Sequence, residues 1–274
     1  MEKIKQALER ARKDQGSGEP RPVSDVALSQ AQKSTQAVHP ISYQQTRVFQ
    51  TAQDVLVRNL LVVGAGQFPA AETAYKILRT QVEQRLAARG WNAIAVTSPS
   101  AGAGKTITAI NLSMALAKEI HRTVLLVDLD FRNPSVHRRF ECEIQHGLVD
   151  YLIDDVPLNG ILINPGIERL VVLPAGSQAV PNSSELLASP KMVKLVDELK
   201  SRYPSRLIVF DLPPLLSSDD ALAFSPYVDT TLLVVAEGRT TKEEIKRAIE
   251  ILGDTSLIGT VLNRSSEVQS SYYY

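Results

Sequence analysis

The sequence predicts a doubly wound α/β fold: a mostly parallel sheet with helices on both faces. Three observations carry that prediction. Six short apolar runs are near-continuous and rich in Val, Leu and Ile, as expected of parallel strands buried on both faces. Helix-like runs separate them in a strand–helix alternation. One strand–loop–helix junction is rich in glycine, "SPSAGAGKT" over residues 98–106.

Taken in order, residues 1–14 (MEKIKQALERARKD) place Ile4, Leu8 and Ala11 at helical spacing among charges, which predicts an amphipathic helix with a possible docking role. Residues 15–53 are rich in Gln, Ser, Pro and Gly and short of apolar clusters, so they read as a flexible linker and, with the first helix, as a disordered amino-terminal extension. The catalytic-type domain then spans 54–263, beginning with "LVRNLLVV", a strand or short apolar segment. "AAETAYKILRTQVEQRLAARG" reads as a helix stopped at Gly90. The strand-like runs are NAIAVT, TVLLVD, RLVVLP, RLIVFD, TTLLVVA and LIGTVLN, and the helices between them start near Lys105, Ser184, Asp219 and Thr240. Residues 264–274 are polar and finish in Tyr272, Tyr273 and Tyr274, a flexible tyrosine-rich tail of roughly 35 Å when extended.

Bulk properties narrow the function classes. Lys plus Arg equals Asp plus Glu at 30 each, so no global basic field argues for nucleic acid or a membrane surface. A single cysteine, Cys142, excludes an internal disulfide and a cysteine-rich metal site. The four histidines, His39, His121, His137 and His146, show no ligand spacing. No run approaches the roughly 20 apolar residues needed to cross a bilayer, and the amino terminus has no apolar signal core. A cytoplasmic protein is expected, reaching the membrane's inner face only through a partner.

The loop after NAIAVT carries the chemistry. Gly102 and Gly104 permit backbone angles and close approaches that a Cβ would block. Backbone amides across Ala101, Gly102, Ala103, Gly104, Lys105, Thr106 and Ile107 can then converge on phosphate oxygens at a helix start. Lys105 suits the β- and γ-phosphates and the Thr106 hydroxyl suits Mg²⁺. Pro99 stands where the phosphate-loop pattern has its first glycine, but the strand-before, helix-after context is the one the pattern requires. Two strands end in carboxylates, TVLLVD-L-D with Asp128 and Asp130, and RLIVFD with Asp211. These sit where open α/β sheets bind ligands, and hard oxygens of this kind suit a Mg²⁺ shared with phosphates. ATP and Mg²⁺ are the expected cofactors of a P-loop nucleotide fold.

These segments resemble those of the bacterial protein-tyrosine kinases, within the wider group of MinD- and ParA-like P-loop ATPases. The resemblance runs from about Ala70 onward and is most specific at D-x-D-x-R-x-P (Asp128, Asp130, Arg132, Pro134) and at Asp211-Leu-Pro-Pro214; Leu212 stands where relatives commonly have threonine. The spacing looks most like that of the exopolysaccharide, exosortase-associated autokinases. A positioning ATPase without kinase activity is the competing reading. Such ATPases carry an extra lysine early in the loop, where this chain has Ser100. The resemblance implies autophosphorylation in trans of Tyr272–Tyr274 and catalytic roles for Lys105, Asp128, Asp130 and Asp211. Asp128 is the candidate to orient or deprotonate the acceptor, with Thr106, Asp128 and Asp211 around the metal. It further implies homo-oligomers, a separate membrane polysaccharide co-polymerase as activator and a cognate tyrosine phosphatase. Relatives pair subunits through an E-x-x-R-x-x-R helix. Here the alignment gives Thr73, Lys76 and Arg79 with Glu72 one place off, and Arg132 is a further possible contact.

Overall fold

The apolar runs become strands whose side chains alternate between two cores. A computed structural model describes residues 46–62, 67–203, 205–253 and 255–266. In it the six expected runs form β2 (Ala93–Thr97), β3 (Thr123–Asp128), β5 (Leu170–Leu173), β6 (Arg206–Asp211), β7 (Thr230–Ala236) and β8 (Leu257–Asn263). Two further strands of two residues each, β1 (Arg47–Val48) and β4 (Ile163–Asn164), extend the sheet. The order is β1-β4-β5-β3-β6-β2-β7-β8. Every pair is parallel except β4 with β5.

One face buries Ile94, Val96, Val124, Leu126, Leu207, Val209, Leu232 and Val234 against α1 (Gln53–Arg58), α2 (Pro69–Ala87), α3 (Lys105–Leu116) and α4 (Val136–Arg139). The alternate residues, among them Ala95, Leu125, Val127, Ile208, Phe210, Leu233 and Val235, bury against the other helices. These are α5 (Leu148–Asp154), α6 (Leu158–Ile161), α7 (Ser183–Leu187), α8 (Pro190–Arg202), α9 (Asp220–Phe224) and α10 (Lys242–Leu252). The strict two-residue period of a strand makes this division, and a one-residue slip would exchange the two cores. Each fully buried Val, Leu or Ile contributes about 1.5–3 kcal/mol relative to exposure, so the central strands dominate the stability.

Local chemistry sets the helix ends. Pro69 opens α2 at a position where its missing N–H is no loss, and Gly90, at φ +66°, turns the chain out after it. α10 begins with a capping box: Thr241 Oγ1 accepts from the Glu244 amide at 3.1 Å and Glu244 Oε2 from the Thr241 amide at 2.8 Å.

Two expectations need correction. Of the two readings of LVRNLLVV, strand or short apolar segment, the strand does not form: its first residues belong to helix α1, whose Val55 and Leu56 are buried, and Leu61 follows as a buried anchor. The linker does not run to residue 53, because Arg47–Val48 pairs with β4 and Phe49 packs on the first core. Two paired residues and one aromatic are too few to register as a composition shift. The expected helix 1–14, linker residues 15–45 and tail residues 267–274 lie outside the described residues. Among the described residues no helix is long and apolar enough to cross a membrane.

Candidate functional site

The parallel register gathers the site at one edge of the sheet. Asp211 at the end of β6 is the register partner of Val96 on one side and of Asp128 on the other. The glycine loop leaves β2 just beyond Val96, so loop and carboxylates meet without long excursions of the chain. This is the crevice beyond the carboxyl ends of strands where doubly wound sheets bind ligands.

Gly102 and Gly104 both adopt left-handed backbone, φ +81° and +93°, which side chains adopt only under strain. A Cβ on Gly104 would also strike the side-chain amide of Asn263. That amide donates from Nδ2 to the Ala103 carbonyl at 2.8 Å, bracing the loop from β8. On the other shoulder the Ser100 hydroxyl donates to Glu244 in the first turn of α10. Ser100, standing where positioning ATPases carry a lysine, is thus bonded within its own chain.

Lys105 is the centre of the charge network. Its Nζ donates to Asp130 Oδ2 at 2.8 Å and to Thr106 Oγ1 at 3.2 Å, and lies 3.7 Å from Asp211 Oδ1. Burial alone would lower its pKa, but the carboxylates of Asp211 and Asp130 outweigh burial and hold the ammonium charged. Asp211 is wholly buried, and neither of its carboxylate oxygens accepts a hydrogen bond from a described residue. Burial raises its pKa, and the nearby Lys105 partly opposes that rise.

Asp128 behaves differently from Asp130. Its Oδ1 accepts from the Asp130 amide at 3.2 Å and its Oδ2 from the Ser135 and Val136 amides, both at 3.0 Å. Its carboxyl is pushed up to about 7 by burial and by the charge of Asp211, against the pull of the Val136 and Ser135 amides. It therefore caps α4 beneath the site. Asp130, with Oδ1 accepting from the Asn133 amide at 3.0 Å, faces the cavity above.

The cavity is about 430 Å³ and is lined by Ala101, Gly102, Gly104, Lys105, Thr106, Ile107, Asp130 and Arg132, with Arg139, Pro213, Ser218 and Arg264 at its margin. The loop residues, Asp130 and Arg132 meet here, while Tyr272, Tyr273 and Tyr274 lie outside the described residues. Ala103 is the exception in the loop: its side chain joins the first core and only its backbone faces neighbours. Asp128 and Asp211 lie under the lining residues, while Glu72, Lys76 and Arg79 belong to α2 and are absent from it. Glu72 pairs with Lys76 at 3.6 Å and Lys118 at 3.8 Å, and Arg79 with Glu119 at 3.2 Å. Arg132, the other suggested subunit contact, is bonded to Asp220 and Ser183 of its own chain. Sequence reasoning missed Arg139, Asn263 and Arg264. Arg139 belongs to the run HRRF, which has no motif of its own, and the other two lie far along the chain from the loop.

The residues fit a magnesium-bound nucleotide phosphate. Gly102 and Gly104 hold the loop in left-handed backbone, a charged lysine stands in the cavity, and the buried Asp211 oxygens accept no hydrogen bond from a described residue. Among the described residues no three His, Cys, Asp or Glu side chains form a metal site by themselves. Asp211 and the Thr106 hydroxyl are the oxygen donors that could hold Mg²⁺, which commonly takes one or two carboxylates together with phosphate oxygens and water.

The family described as an AAA domain matches residues 91–247. The tyrosine-protein kinase YwqD of Bacillus subtilis (strain 168) is 32% identical over 201 residues, covering 73% of this chain and 83% of its own. The succinoglycan biosynthesis transport protein ExoP of Rhizobium meliloti (strain 1021) is 32% identical over 209 residues, 75% of this chain but 26% of its own. Among solved structures, the kinase domain of the Escherichia coli tyrosine kinase ETK superposes with a TM-score of 0.70 at 27% identity, covering 83% of this chain and 91% of that one.

Proposed function

The chain belongs to the bacterial tyrosine-protein kinases, and from that premise we propose that it phosphorylates its own Tyr272, Tyr273 and Tyr274 in trans with Mg-ATP as donor. The single observation that carries the reading is the cavity in which Lys105, paired to Asp130 at 2.8 Å, stands over the unsatisfied carboxylate of Asp211.

When bound, Mg-ATP supplies the phosphoryl group and a divalent charge. The amides of residues 101–107 and the Lys105 ammonium would hold the phosphates, with Thr106 and Asp211 on the metal side. Lys105 would have to leave Asp130 for the phosphates, which frees the Asp130 carboxylate. A tyrosine hydroxyl has a pKa near 10, so it needs an acceptor for its proton at neutral pH. We assign that task to Asp130 rather than Asp128, because Asp130 lines the cavity whereas Asp128 is wholly buried outside its lining. Each transfer adds about −1.5 to −2 charges to a tyrosine, so a modified segment is repelled by a carboxylate-bearing site and subunit association weakens.

The polysaccharide setting is proposed on the strength of relatives such as ExoP, whose name refers to succinoglycan transport. We place the enzyme in the cytoplasm, at the inner membrane face through a separate co-polymerase that activates it, with a tyrosine phosphatase reversing the modification. Intact-mass measurement after incubation with Mg-ATP tests the core of this reading. Mass steps of one phosphate that vanish when Tyr272–Tyr274 become Phe are expected. Phosphate release with no gain in mass, with and without a co-polymerase segment, would overturn it.

A further inference from the structure

Asp220 opens α9, and its side chain is wholly buried. Three side chains from three separate segments donate to it: Arg132 Nε at 3.0 Å, Ser183 Oγ at 2.8 Å and Ser218 Oγ at 3.1 Å. Arg132 Nε also donates to Ser183 Oγ, at 3.1 Å. A buried carboxylate is tolerated only when it is paired and hydrogen-bonded, and this one is saturated on both oxygens.

The arginine is the unusual member of the cluster. Its side chain is 45% exposed and lines the cavity that holds Lys105, Thr106 and Asp130. Among the described residues only its Nε edge is hydrogen-bonded; Nη2 lies 3.8 Å from the exposed Asp219, an ion pair without a hydrogen bond. A structural ion pair alone would not require a guanidinium at a cavity wall. A guanidinium held by Nε keeps its terminal N–H groups for a second anion, and a phosphate can accept two parallel N–H bonds from that fork. Lys105, bonded to Asp130 two residues before Arg132, marks the phosphate end of the cavity.

We infer that Asp220 is a positioning residue: with Ser183 it fixes Arg132 on the cavity wall so that Arg132 grips the terminal phosphate of a bound nucleoside triphosphate. The site then tells triphosphate from diphosphate. This rests on the cavity being a nucleotide site, as proposed above.

The test is calorimetric titration of the full chain with Mg-ADP and with the magnesium complex of a non-hydrolysable ATP analogue. In Asp220→Asn, affinity for the triphosphate analogue is expected to fall about tenfold or more, the scale of one charge-assisted hydrogen bond, with Mg-ADP affinity held within about twofold. Arg132→Ala should show the same selective loss, and the double variant no more than either alone. Should Asp220→Asn lower the melting temperature sharply, Ser183→Ala paired with Arg132→Ala provides the same cycle with a milder change. Equal losses for both nucleotides, no loss, or additive losses would overturn the inference. A wild-type chain that binds neither nucleotide would instead overturn the reading of the cavity itself, and the inference with it.

Discussion

The Asn263 side-chain amide donates to the Ala103 carbonyl at 2.8 Å and occupies the space a side chain on Gly104 would need. Gly104→Ala therefore suffers twice, from a left-handed φ of +93° and from collision with that amide. A loss of about 1–3 kcal/mol in stability is expected, with nucleotide affinity reduced at least about tenfold. Adding Asn263→Ala should recover the collision part and leave the backbone strain. Denaturant unfolding and calorimetry of the single and double variants measure both parts; full recovery would show that backbone conformation does not matter there.

Lys105→Met removes the only cation within 4 Å of Asp211 among the described ion pairs. Phosphoryl transfer is expected to fall roughly a hundredfold or more, the scale seen when a donor to developing charge is lost. Radiolabel incorporation or intact mass reads it. A variant that keeps more than about a tenth of wild-type transfer would remove Lys105 from the mechanism.

Stability without nucleotide should depend on pH through Asp128. Its carboxyl sits at about 7 in the folded chain against an ordinary 3.8. Below about pH 4 it is protonated folded or unfolded, and its contribution is fully present. Between about 4 and 7 the unfolded chain ionises while the folded chain keeps its proton, so stability declines as pH rises. Asp211 is shifted the same way by burial. Melting curves at pH 5 and 7.5 should therefore diverge more in wild type than in Asp128→Asn; parallel losses in the two proteins would count against the assignment.

On α2, Glu72 and Arg79 are tied to α3 or to the short stretch after it, through Lys118 and Glu119, which leaves Lys76 and Ile77 on the outer face. If subunits associate through this helix, Ile77→Asp should shift sedimentation toward the single chain with nucleotide affinity unchanged. Arg79→Ala, which gives up a partly exposed pair, should cost no more than about 1 kcal/mol.

The strands of the sheet's interior were readable because residues buried on both faces leave an unbroken apolar signature, and TVLLVD and RLIVFD match β3 and β6 residue for residue. The glycine loop and the carboxylates were readable because their chemistry is concentrated in a few adjacent positions. What the sequence concealed was tertiary. The pair β1 and β4 has two residues in each strand, below any periodicity. Asp128 and Asp130 look equivalent on paper, and only the turn into α4 sends one to backbone amides and the other to the cavity. Asp220 belongs to no motif in the sequence, and its contact with Arg132, 88 positions earlier, exists only in the folded chain.

The braces on the glycine loop also set a timetable. Glu244 stands 144 positions after Ser100, and Asn263 stands 160 after Ala103. Contacts so remote in sequence close late, after the intervening chain has been made and packed. The loop's final shape therefore waits on α10 and β8, which lie far along the chain from it.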